Sequence, residues 1–146
     1  MKIVRFSTSH GGDAQYGVLE GTTVYQAEGD LFAGLTKGSE VGSLDDVTLH
    51  APIEPGKVIA IGLNYVDHVT ELDKDRQLPT TPVVFMKPQS AIVGPDEAIE
   101  IAHPDHDTHY EAEIVVVIGK KAKDVSEGEA LDYVLGYTAG NDVSDR

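Results

Sequence analysis

HYEAEIVVVI, residues His109–Ile118, decides how the rest of the chain is read. It is the strongest strand signal in the sequence, ending in the apolar run Ile114–Ile118. A strand sends residues i and i+2 to the same face, so Glu111 and Glu113 stand side by side. The run that follows is apolar on both faces, which predicts a buried strand. Two neighbouring carboxylates entering a core repel each other, and each gives up hydration. A shared proton or a bound cation makes that tolerable. An edge strand whose acidic face is simply wet explains the local pattern equally well.

Asp142 adds weight to the cation. It follows a strand that runs into Gly140-Asn141, where a turn can aim a side chain into a cleft. Taken alone it reads as an ordinary Asx turn. Three carboxylates in a chain without cysteine suit a hard divalent cation, Mg²⁺ or Mn²⁺ with Ca²⁺ as a third candidate, its other positions left to water and substrate.

Two histidine patterns compete for attention. His68 and Glu71 lie at i, i+3 on a helix expected over Asn64–Leu72, where the carboxylate can orient the imidazole as a general base. In isolation, a polar helix face with an incidental His–Glu pair is the better reading. His103, His106 and His109 recur every third residue and raise the alternative of a zinc hydrolase. Pro104 rules out a regular helix there, and a strand would turn His103 and His106 to opposite faces. These three read as a polar loop, with His109 near the carboxylates.

Composition narrows the classes further. The chain has 146 residues with a formal net charge of −14, so a phosphate backbone would repel it and no nucleic-acid partner is expected. The longest apolar run is too short to span a bilayer, and Lys2 and Arg5 leave no apolar leader core. With no cysteine to form disulfides, a cytoplasmic protein is expected.

Working outward, strands are expected at Lys2–Phe6, Tyr16–Leu19 and Thr22–Gln26, around a turn at Glu20-Gly21. A loop-rich stretch punctuated by Gly34, Gly38 and Gly42 follows. The Pro52–Pro55 segment marks a boundary between residues 1–52, a small N-terminal β module, and residues 53–146. Beyond it, strands are expected at Lys57–Ile61, Pro82–Met86, Glu97–Ile101 and Val134–Ala139. Ser126 and Glu129 form a capping box for a short helix ending near Tyr133.

Four stretches, in order, resemble the fumarylacetoacetate hydrolase family: KVIAIGLNYVDHVTEL (Lys57–Leu72), PVVFMKPQSAIVGP (Pro82–Pro95), HYEAEIVVVIGKKAKDVS (His109–Ser126) and DYVLGYTAGNDVSDR (Asp132–Arg146). Residues 1–50 are similar, less specifically, to the N-terminal module of 2-hydroxyhepta-2,4-diene-1,7-dioate isomerase and acylpyruvate hydrolase types. The resemblance implies an α+β fold, mainly β. It consists of the small module followed by the first part of a mixed β-roll catalytic domain. It implies Glu111, Glu113 and Asp142 as metal ligands, His68 and Glu71 as a water-activating pair on a lid, and Arg146 near the substrate carboxylate. It also implies a small 2-oxo or β-diketo acid substrate that is hydrolysed, decarboxylated or isomerised, and a homodimer. Family members continue past the NDVS motif with a further catalytic-site lysine. This chain is therefore expected to be inactive alone, and a non-catalytic metal-binding module stays open as another reading.

Overall fold

The computed structural model describes residues 1–8, 12–72 and 77–145, with only the backbone given for His68, Glu71 and Leu72. Contacts divide the chain into two compact units. Residues 1–52 belong with 94–146, and residues 53–93 form the other.

Within the first unit, five antiparallel strands form a sheet in the order β4-β3-β2-β1-β5: β1 Lys2–Ser7, β2 Gln15–Glu20, β3 Thr23–Asp30, β4 Gly34–Ser43 and β5 Thr48–His50. Glu20 pairs with Thr23 across a tight turn in which Gly21 takes φ +61°. A left-handed residue at this place matches the twist of the flanking strands. Phe6, Val18 and Val24 are all almost fully buried, and the register of β1, β2 and β3 puts Phe6 and Val24 on one face of the sheet and Val18 on the other. The one buried polar side chain among the described residues, Ser7, meets His50 Nε2 through its Oγ at 2.9 Å, so burial leaves no hydroxyl unsatisfied.

Phe6 lies against the bare backbone of Gly17. A Cβ there would come within 2.7 Å of the Phe6 ring and 2.8 Å of the Tyr25 carbonyl oxygen. Backbone cannot yield as a flexible side chain can. Gly17→Ala is therefore expected to destabilise this sheet by about 1–3 kcal/mol, the usual cost of overpacking, read as a lower urea midpoint. An unchanged midpoint would mean that the ring moves aside freely.

The stretch expected to be loop-rich is β4, the longest strand described. Its glycines hide a period, and its ladder with β3 shifts register between Val24 and Tyr25 and again between Tyr25 and Ala27. Asp30 Oδ1 accepts the Phe32 and Ala33 amides at 2.9 and 2.8 Å and turns the chain into it. On this edge strand Lys37 donates to Glu20 at 2.7 Å and lies 4.5 Å from the Tyr25 ring centroid. The hydrogen bond it donates to Glu20 raises the Lys37 ammonium above its ordinary pKa. A charge at such a position blunts a sheet edge.

The unit of residues 53–93 is a β-hairpin ladder with a helix between its strands: β6 Val58–Gly62 pairs antiparallel with β7 Val83–Lys87, and α1 spans Val66–Leu72. Val69 is its buried anchor, 1% exposed. The Gln89 side chain donates to the Pro55 carbonyl and ties the segment beyond β7 to the one before β6.

Residues 94–146 contribute β8 Thr108–His109, β9 Ala112–Ile118, β10 Val134–Asn141 and β11 Ser144–Asp145. Glu97–Ile101 is not a strand. The Glu97 carboxylate instead accepts the Gly94 amide at 2.7 Å and Asp96 takes φ +62°, closing a turn. The capping box at Ser126 also differs. Its hydroxyl donates to Glu129 Oε2 at 2.5 Å, side chain to side chain, and residues 127–133 wind as a 3₁₀ segment. A reciprocal box forms at Ser43 and Asp46. The expectation of a buried β9 is corrected as well: Ile114 is 72% exposed and Ile118 55%. β9 and β10 make a two-stranded ladder, which covers neither of its own faces.

Candidate functional site

The pairing of β9 with β10 and of β8 with β11 brings the backbone positions of Glu111, Glu113 and Asp142 together. Ala112 lies opposite Asn141, and His109 lies opposite Ser144. Tyr110-Glu111 and Asp142-Val143 fill the gap between these pairs, one dipeptide against the other. The register is therefore unbroken, and Glu111 falls across from Asp142. Their backbones are bonded there, the Asp142 amide donating to the Glu111 carbonyl at 2.8 Å. Directly opposed residues of an antiparallel pair share a face, and so do i and i+2. The backbone thus puts Glu111, Glu113 and Asp142 on one face at one end of the ladder, each half-buried.

Two neighbours shape this end. Glu113 pairs with Gly140, so no side chain stands across from it. A Cβ at Gly140 would come within 2.7 Å of Val115 Cγ2, on the residue that follows Glu113 on the same face. Asn141 Oδ1 accepts the Glu111 amide at 3.0 Å. Asp142 Oδ1 accepts from the Ser144 hydroxyl at a long 3.5 Å. Carboxylate oxygens are the donors a hard divalent cation prefers, so chemistry and backbone position both fit one. Among the described residues, no three Asp, Glu or His side chains are gathered closely enough to hold a metal as they stand.

The histidines of the loop before β8 are arranged otherwise. His103 and His106 stack with ring centroids 4.7 Å apart, His106 Nδ1 meets Asp145 Oδ2 at 2.8 Å, and His109 Nε2 meets Asp107 Oδ2 at 3.2 Å. Each of the last two histidines therefore has its own carboxylate. His68 and Glu71 fall in α1, one turn apart, but their side chains lie outside the described residues, as does Arg146 entirely. A hollow of about 390 Å³ opens at the β3–β4 turn, lined by Tyr16, Leu31, Phe32 and Leu35 among others, and contains none of these residues.

Residues 57–146, more than half of the chain, match the family described as fumarylacetoacetate (FAA) hydrolase C-terminal. The chain belongs to the fumarylacetoacetate hydrolase family. Residues 1–52 match a second family, Rv2993c-like, N-terminal. Among relatives, a caffeoylpyruvate hydrolase of Neonothopanus nambi is 51% identical over 94 residues, covering 61% of this chain and 32% of its own. A mitochondrial oxaloacetate tautomerase of Xenopus laevis is 42% identical over 115 residues, covering 78% of this chain and 35% of its own. Among solved structures, a 5-carboxymethyl-2-hydroxymuconate delta-isomerase from Mycobacterium smegmatis superposes with a TM-score of 0.81 at 36% identity, over 100% of this chain and 56% of that one. The chain thus spans about a third of the length of these relatives and just over half of the solved structure. The expected α+β, mainly β architecture is what the chain shows, and its solved neighbours share the fumarylacetoacetate hydrolase fold.

Sequence reading singled out the carboxylates but not the contacts of Gly140 and Asn141 beside them. Their signal was their place directly before Asp142, which acquires meaning only once the β9–β10 register is known. No helix among the described residues is long and apolar enough to cross a membrane.

Proposed function

We propose that this chain carries the metal-binding part of an enzyme acting on a small 2-oxo or β-diketo acid, with residues 53–146 as the first part of its catalytic domain. The observation that supports this best is the in-register gap between β9 and β10, where Glu111 and Asp142 oppose each other beside Glu113. Glu111, Glu113 and Asp142 would hold Mg²⁺ or Mn²⁺, and Gly140 places no side chain of its own across from Glu113. A bound cation supplies Lewis acidity toward a chelating 2-oxo acid.

The chain's own residues do the rest. His68, oriented by Glu71 one helical turn away, takes a proton from water, and Arg146 pairs with the substrate carboxylate. The relatives include a hydrolase, a tautomerase and an isomerase, so the substrate class is proposed here and not the individual reaction.

Calorimetry with Mn²⁺ tests the site. One binding event is expected, and Glu113→Gln should weaken it at least about tenfold, or about 1.4 kcal/mol. If Glu111→Gln and Glu113→Gln both bind Mn²⁺ as the parent does, the carboxylates are surface charge and the proposal fails.

A further inference from the structure

We infer that Asn141 is a positioning residue for this site, its side chain setting the backbone of Glu111. The inference rests on the proposed metal site and goes beyond it, because Asn141 is not among the ligands.

Regular pairing stops at Ala112 and Asn141 and resumes at His109 and Ser144, with no residue gained or lost on either strand. A bulge is therefore not the cause, since a bulge adds a residue to one strand. What is special in the gap is the acceptor used by the Glu111 amide. In a hydrogen-bonded antiparallel pair two opposed residues exchange both amide–carbonyl bonds. Asp142 and Glu111 make one of these, amide of Asp142 to carbonyl of Glu111, at 2.8 Å. The amide of Glu111 is held at 3.0 Å by Asn141 Oδ1, a side chain from the neighbouring position.

A side chain has thus entered the ladder at the point where the carboxylates lie. The consequence is local and directional. Glu111 has its carbonyl fixed by one strand residue and its amide by the side chain of the residue before it, so its Cα is held from both sides. Groups outside the ligand set that fix ligands in this way are worth roughly 10–100-fold in metal affinity. Any residue could occupy position 141 of a plain ladder. Only one with a short side-chain acceptor can reach back to the Glu111 amide, and Asn and Asp have that reach.

The test uses the 146-residue chain and two readouts. In metal-free protein, hydrogen exchange at the Glu111 amide should become at least about tenfold faster in Asn141→Leu, which keeps the branched shape and removes the acceptor. With Mn²⁺ as probe, the same variant should bind about 10–100-fold more weakly. Asn141→Asp retains an oxygen in place and should preserve both the protection and the affinity, a rescue that a purely space-filling role would not show. Amides of the β1–β5 sheet report whether the fold is intact; should Asn141→Leu lose them, Asn141→Ala carries the same comparison. Unchanged Glu111 protection in the acceptor-free variant overturns the inference. So does parent-like Mn²⁺ affinity in that variant when Glu113→Gln has lost it, which leaves the metal site standing. If the parent itself binds no Mn²⁺, the site reading fails and the inference falls with it.

Discussion

Replacing His68 with alanine, in a form of the protein carrying the full family length, is expected to lower kcat by about 10²–10⁴-fold while leaving Mn²⁺ affinity unchanged. The size is that of losing a general base. The separation of the two effects follows from where the groups sit in the chain. His68 belongs to α1, Val66–Leu72, between the strands of the β6–β7 hairpin, whereas the carboxylates belong to the β9–β10 ladder. In the proposed assignment Glu71, at i+3 from His68 on α1, orients the imidazole and does not replace it. Glu71→Gln should therefore cost less than His68→Ala and likewise spare the metal. Steady-state kinetics beside Mn²⁺ calorimetry on the same preparations checks this. A His68→Ala enzyme that no longer binds Mn²⁺ would make the histidine a ligand, and the assignment of roles would be wrong.

How much of this was legible in the residues depends on the range of the interactions concerned. Local alternation announced β1, β2 and β3, and i, i+2 spacing announced Glu111 and Glu113, because strand geometry alone sets those relations. β4 was not legible. Gly34, Gly38 and Gly42 interrupt its pattern, and it exists by pairing with β3 through two register shifts and by the Lys37–Glu20 contact, neither of which shows as a period in its own residues. Glu97–Ile101 failed in the opposite sense. It alternates as a strand should, yet the Glu97 carboxylate bonds back to the Gly94 amide and no strand of the described residues pairs with the segment. Asp142 could be suspected as a third ligand, but its place opposite Glu111 needed the hairpin register. The Asn141 bond needed the register and a side-chain rotamer as well. Residues 57–146 carried the family because four motifs in order are far more specific than any one of them.

Residues 1–146, expressed as an isolated polypeptide with saturating Mg²⁺, are expected to turn over acylpyruvates and oxaloacetate more slowly than about 1 s⁻¹, the low end of ordinary enzymes. Two physical arguments lead there. The first is electrostatic. Breaking a carbon–carbon bond next to a carbonyl leaves negative charge on the departing enolate, and a positioned cation must meet it. The family resemblance assigns that role to a lysine that has no counterpart in these residues, and one missing preorganised donor costs about 10²–10³ in rate. The second concerns packing. On the β9–β10 ladder Ile114 is 72% exposed and Tyr137 63%, and on the β6–β7 ladder Val84 is 59% exposed and Met86 63%. Apolar faces of this kind on two-stranded ladders are unstable in water unless something covers them, and their edges offer unpaired backbone. Self-association should therefore accompany the low activity, visible as a concentration-dependent sedimentation coefficient. Faster turnover from a monodisperse monomer would overturn both arguments, since the exposed ladders would then be tolerated and another group would be meeting the enolate charge.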